Sequence, residues 1–164
     1  SNIHFWLADE RCVPIDDTER TEKKIKEAIG EKVISKVIFH SPGFGTPIDM
    51  TNKYIQELKK NTTFNLAILG IGEDGHTASL FPGNDIGENI DSDDVFPVYN
   101  SPKMPSERIS LSLNKINQSE HVIFLVSGES KKEIVRKVLC GDSLPASKVR
   151  GRNTTNIMNL KVNK

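Results

Sequence analysis

One histidine in this sequence is well placed to do chemistry. Gly70-Ile71-Gly72-Glu73-Asp74-Gly75-His76 puts an imidazole at the end of a glycine-rich turn, directly after the apolar run Phe64–Leu69. An unperturbed imidazole titrates near about pH 6.5, so it can take a proton and return it at neutral pH. Asp74, two residues before His76, can orient the ring and stabilise its cation, as a carboxylate does for a catalytic base. Arg11 ends the polar run Asp9-Glu10-Arg11, and Arg108 stands at the start of a β-like segment. A guanidinium at either edge can clamp a phosphate or carboxylate. Lys148, Arg150 and Arg152 add a short basic cluster.

Other chemistries fit the residues less well. Ser79 lies in Thr77-Ala78-Ser79-Leu80-Phe81, which lacks the Gly-x-Ser-x-Gly elbow of a serine nucleophile. Cys12 follows Arg11, which would lower its pKa, but it reads as a plain buried thiol. His4, His40, His76 and His121 are scattered without metal-ligand spacing, so no metal site is expected. Gly70, Gly72 and Gly75 have the spacing of a dinucleotide fingerprint. That motif needs an acidic residue about 20 positions on, at the end of a strand. Asp91 falls in an acidic loop instead, and Pro82 limits the expected following helix to a short one. No cofactor is expected, and general-base chemistry at His76 ranks first.

Those residues need a scaffold, and the hydrophobic pattern supplies one. Ile3–Ala8, Phe64–Gly70, Val95–Tyr99, Arg108–Leu113 and His121–Ser127 read as strands, with further short ones over Val33–Phe39 and through Ile157 and Leu160. Helices are expected over Thr18–Ile29, over Ile48–Lys60 with Ile48, Tyr54, Ile55 and Leu58 inward, and over Glu129–Leu139. Strands alternating with helices predict an α/β fold with an open, mostly parallel, Rossmann-like sheet flanked by helices. Ligands of such sheets bind beyond the C-terminal ends of the strands, where both Asp9-Glu10-Arg11 and the Gly70–His76 turn fall.

Composition narrows the function classes. The chain has 164 residues, with 22 basic against 22 acidic side chains, 36% hydrophobic and 27% charged. That length predicts a single α/β domain over 1–164, and the composition is that of a folded chain. Balanced charge argues against a surface built for nucleic acid or anionic membrane. Two cysteines without CxxC spacing suit a reducing, cytoplasmic setting.

Longer motifs carry a family resemblance. Asp9-Glu10-Arg11-Cys12-Val13-Pro14 and Leu69–Gly83 closely resemble 6-phosphogluconolactonase, of the glucosamine/galactosamine-6-phosphate isomerase superfamily. Ser101–Ser110 is similar to that family's proline-rich segment before an Arg-Ile-Ser strand, and Leu144–Gly151 to its Pro-Ala-Ser block. The resemblance implies hydrolysis of 6-phosphogluconolactone to 6-phosphogluconate, in the oxidative pentose phosphate pathway. His76 would then activate water, with Asp74 orienting it. Arg11 and the backbone N–H groups about Gly72 and Gly75 would stabilise the oxyanion or hold substrate. Asp9 and Glu10 would contact substrate, and Arg108 and Lys148 its phosphate.

Two other readings stand beside it. Hexosamine-6-phosphate deaminases resemble the same turn but carry a Glu five residues after the His, where this chain has Phe81, and an aromatic residue where it has Arg11. A non-catalytic fragment that binds sugar phosphate is the third reading. The family's Gly-Gly-Ser-Thr-Pro-like phosphate loop has no counterpart in 1–164, Arg20-Thr21 replaces the usual Ser-Asn, and Asn153–Asn159 is less apolar than the family's strand. The expectation is therefore of a domain lacking its N-terminal portion, with Ser1-Asn2 as a truncation point, uncovered apolar surface, and a tendency to self-associate.

Overall fold

The computed structural model describes residues 3–58 and 63–160; Ser1-Asn2 and the expected helix end at Lys59-Lys60 lie outside them. The chain divides into two compact units. The first takes the described residues of Ser1–Asn61 together with Val95–Ser110, and the second those of Thr62–Asp94 with Leu111–Lys164.

In the first unit, β1 (His4–Trp6) pairs in parallel with β3 (Ile38–His40), and Trp6 lies directly opposite His40. Strand β2 (Asp9–Arg11) runs antiparallel to β6 (Arg108–Leu111), with β5 (Val95–Val98) on the far side of β6. Helix α1 (Thr21–Ile29) begins without a side-chain cap from its own Ncap residue, Arg20. Glu10 does that work from β2. Its carboxylate accepts the Thr21 and Glu22 N–H groups, each at 2.8 Å, which places a negative charge at the positive end of the helix dipole. Gly30, with φ +81°, ends α1.

A second short helix, α2 (Glu31–Ile34), follows at once, so the strand expected over Val33–Phe39 begins only at Ile38. Helix α3 (Pro47–Leu58) is opened by a reciprocal Thr46–Asp49 cap with proline in its first turn. Its buried stripe is Pro47, Met50, Thr51, Tyr54 and Leu58, a clean 3–4 spacing. Ile48, expected inside, is 49% exposed: Pro47 and Met50 occupy the inner face, one residue off that expectation.

The second unit is built on β4 (Leu66–Leu69), β7 (His121–Ser127) and β8 (Thr154–Leu160), all parallel, with β7 in the centre. Val122, Phe124 and Val126 of β7 are buried on one face. Helix α5 (Lys132–Cys140) is entered through a 3₁₀ turn over Glu129–Lys131 and closes on Gly141 in the left-handed conformation. Ser112 caps a short helix, α4 (Leu113–Asn117), where the strand from Arg108 was expected to continue to Leu113. No helix follows the Gly70–His76 turn; the chain there folds into successive turns with a small Thr77–Leu80 bridge.

The architecture is thus α/β with mostly parallel strand pairing. The pairing is spread over three short sheets among the described residues, where one open sheet was expected. On the face of the second unit's sheet opposite Val122 and Phe124, the register aligns Leu66 and Ile68 with Ile123, Leu125, Met158 and Leu160. Ile68 is 57% exposed, which is unusual for a parallel sheet.

Candidate active site

The glycine turn after β4 is a closed loop of backbone hydrogen bonds. The Gly72 N–H donates to the His76 carbonyl at 2.8 Å, and the Gly75 N–H to the Gly72 carbonyl at 3.0 Å. Thr77 Oγ1 ties the far end of the turn back to the Gly70 carbonyl. Gly75 adopts φ +84°, and a Cβ there would strike Leu144. Its carbonyl accepts the Ala146 N–H, so the 3₁₀ turn over Pro145–Lys148 braces the loop from outside.

Within this loop the Asp74 carboxylate meets His76 Nδ1 at 2.5 Å and also takes the His76 backbone N–H. A carboxylate accepts, so Nδ1 carries a proton, and in the neutral form of the ring the lone pair sits on Nε2. Burial alone would push the Asp74 carboxyl up, but the ring and backbone hydrogen bonds from His76, with its charge, outweigh that and hold it below the usual carboxylate range. Phe81, almost fully buried, packs its ring 4.8 Å from the imidazole. The arrangement is an oriented imidazole with one basic nitrogen, able to deprotonate water.

The Gly72 and Gly75 N–H groups are engaged inside the turn, and it is Gly72 that leaves room for the His76 ring.

The first unit gathers Asp9, Glu10, Arg11 and Arg108. Arg11 is partly exposed and donates Nη1 to both the carbonyl and the carboxylate of Glu19, at 2.6 and 3.1 Å. Glu10 is 0% exposed, and its carboxylate accepts the backbone N–H groups of Arg11, Thr21 and Glu22. Such a buried group ties β2 to the start of α1. Arg108 lies opposite Arg11 in the β2–β6 register. Its buried guanidinium donates to the carbonyls of Pro105, Lys103 and Met104, pinning the proline-rich loop, with Asp9 4.0 Å from Nη1. Burial first, then the Arg11 charge, lower its pKa against the pull of Asp9 and Glu19. The Arg108 guanidinium thus clamps the proline-rich loop.

The comparisons with known proteins bear on this geometry. Residues 1–158 match the family described as glucosamine-6-phosphate isomerases/6-phosphogluconolactonase. The chain belongs to that family. A 6-phosphogluconolactonase of Thermotoga maritima is 34% identical over 158 residues, covering 94% of this chain and 70% of that protein. A crystal structure of 6-phosphogluconolactonase from the same organism superposes with TM-score 0.79 at 32% identity, over 96% of this chain and 73% of that one. The GDH/6PGL endoplasmic bifunctional protein of Homo sapiens is 34% identical over 152 residues, 84% of this chain. The chain spans only 19% of that relative's length.

Lys148 is partly buried and ion-paired with Glu88 at 2.8 Å. Cys12 is half-buried, and burial, followed by the Glu107 charge, pushes its thiol up to about 11 despite Arg20. Among the described residues no group of three or more His, Cys, Asp or Glu side chains could hold a metal ion, and no helix is long and apolar enough to cross a membrane.

Two residues outside the motifs prove to matter to the Asp9–Arg11 strand. Tyr54, on α3, both donates its hydroxyl to the Leu7 carbonyl and accepts the Leu7 N–H. Arg20 is 1% exposed and paired with Glu10 at 3.3 Å. Its one sequence signal was its departure from the family's Ser-Asn pair.

Proposed function

We propose that this chain, as one lactonase-like domain over 1–164, hydrolyses 6-phosphogluconolactone to 6-phosphogluconate. The observation that carries the reading is the Asp74–His76 pair, 2.5 Å apart, which leaves Nε2 as the basic atom. A δ-lactone is an activated ester and needs no covalent nucleophile. His76 Nε2 takes a proton from water, and the oxygen attacks the lactone carbonyl. The tetrahedral intermediate collapses with cleavage of the bond to the ring oxygen, which receives the proton from His76. Asp74 holds the ring and stabilises its cation. Arg11 stabilises the oxyanion or holds the substrate, Asp9 contacts the sugar, and Lys148 receives the phosphate. Free thiols at Cys12 and Cys140 suit a cytoplasmic setting.

Phe81 separates this reading from the deaminase one. The position where deaminases carry a Glu is here a buried ring packed on the imidazole, which supplies no second carboxylate. The test is acid release from freshly made lactone, run beside ammonia release from glucosamine 6-phosphate. Lactone turnover that is lost in His76→Ala supports the proposal. Ammonia release, or calorimetric binding of 6-phosphogluconate without any turnover, rejects it in favour of the deaminase or the binding fragment.

A further inference from the structure

We propose that Arg20 is the positioning residue for Arg11, acting through its two neighbours in space and sequence, Glu10 and Glu19. The inference rests on the lactonase reading only where Arg11 is given a role in turnover. Its geometric part stands alone.

Arg20 is the largest fully buried side chain among the described residues. Its guanidinium reaches four separate pieces of chain. Nη1 donates to the Val13 carbonyl at 3.1 Å, and Nη2 to the Gly43 carbonyl and to Glu22 Oε2. Nε lies 3.3 Å from Glu10 Oε2. A charge taken this far from water needs charged and polar partners, and here those partners join β2, the following loop, α1 and the loop after β3.

Two contacts carry that rigidity to Arg11. Glu10 Oε1 accepts the Arg11 backbone N–H at 2.7 Å, which sets where the residue leaves β2. Glu19, immediately before Arg20, offers both its carbonyl and its carboxylate to Arg11 Nη1, which sets where the guanidinium ends. Arg11 is thus held at its root by a group that Arg20 neutralises, and at its tip by the residue to which Arg20 is joined. A side chain with four rotatable bonds, partly open to solvent, would otherwise sample many rotamers.

The test is a double-mutant cycle with Arg20→Met and Arg11→Ala, run on the whole chain. Arg20→Met is expected to lower kcat/KM by about 10- to 100-fold in the native background, in line with the cost of a misplacement of about 1 Å. In the Arg11→Ala background the same substitution is expected to change it by less than about twofold, because Arg20 acts through the missing side chain. Equal losses in both backgrounds, or none in either, overturn the proposal. Arg20→Lys keeps a charge but reaches fewer acceptors, and serves the same cycle if Arg20→Met does not fold.

A second readout needs no turnover. The Arg11 side-chain N–H resonances, identified by their loss in Arg11→Ala, are expected at dispersed ¹⁵N and ¹H positions in the native chain and at free-arginine positions in the Arg20 variant. Phe124→Leu, in the other unit, controls for lost stability and is expected to leave them in place. Dispersed Arg11 signals in a folded Arg20 variant overturn the proposal, even if the native chain has no lactonase activity. A native chain without turnover would sink the functional reading alone.

Discussion

Gly72 and His76 occupy almost the same space. A Cβ built on Gly72 would lie 2.0 Å from His76 Nδ1, 2.1 Å from Cε1 and 2.7 Å from Asp74 Oδ1. The imidazole therefore sits where only a glycine can pass, and Gly72→Ala must drive the ring off Asp74. We expect a kcat loss of about 10²-fold or more with far-ultraviolet circular dichroism unchanged. Gly70→Ala, where an added Cβ meets nothing within 4 Å, is the matched control and should stay within about twofold. Equal losses in the two variants would mean that the glycines matter for folding alone.

Asp74→Asn tests the orienting role, and its pH dependence has a definite sign. The Asp74 carboxyl is held below the usual range, so its folded pKa lies under the unfolded value of about 3.9. Its contribution to stability is fully present above that unfolded value and fades as pH falls through the folded one. Urea unfolding of native protein and Asp74→Asn should therefore differ most at neutral pH and converge toward pH 3. At pH 7 the Asn variant should also lose about 10²-fold or more in kcat, because an amide no longer secures the Nδ1–H form of the ring. A stability gap that widens on acidification would contradict the assigned shift.

Much of the framework could be read from the residues, for identifiable reasons. His121–Ser127 was visible as a strand because Val122–Val126 is an unbroken apolar run, and Gly141 as a helix stop because glycine readily takes the left-handed conformation that closes α5. The Asp74–His76 pair was legible because its members lie two positions apart, within reach of any turn. Long-range polar contacts left no such trace. The part Glu10 plays in capping α1 depends on an N-terminus eleven residues away, and the contact of Arg20 with the Gly43 carbonyl spans twenty-three. Helix α2 was hidden by Val33 and Ile34, β-branched residues that a short helix after Gly30 accepts because Val33 is not buried. Thr51 took part in the inner face of α3 although a polar side chain carries no hydrophobic signal.

Cys12 gives a third expectation. With its thiol raised to about 11, the thiolate fraction near pH 8 is about one in a thousand, and thiolate is the reactive form. Cys140, at the exposed end of α5, has no such protection from burial. Brief treatment with iodoacetamide at pH 8 should alkylate Cys140 first and leave Cys12 unmodified by peptide mass spectrometry. Activity should survive that single modification. Rapid labelling of Cys12 would show that the β2 loop opens on the timescale of the reaction.

Tyr54→Phe isolates how the scaffold holds the Asp9–Arg11 strand. The hydroxyl is buried and makes a two-way link to Leu7, accepting its N–H at 2.6 Å and donating to its carbonyl at 3.2 Å. Burial keeps that hydroxyl protonated by pushing its pKa well up, so it remains a donor at every pH where the chain folds. Phenylalanine fills the same space but leaves a buried N–H and carbonyl without the partner, which costs about 1–3 kcal/mol. Urea unfolding should register that loss as a lower midpoint with an unchanged slope. Because Leu7 lies two residues before Asp9, the variant should raise KM more than it lowers kcat if Asp9 contacts substrate. A variant as stable as the native chain would mean that water replaces the hydroxyl at Leu7, and that α3 is not what fixes the entrance to β2.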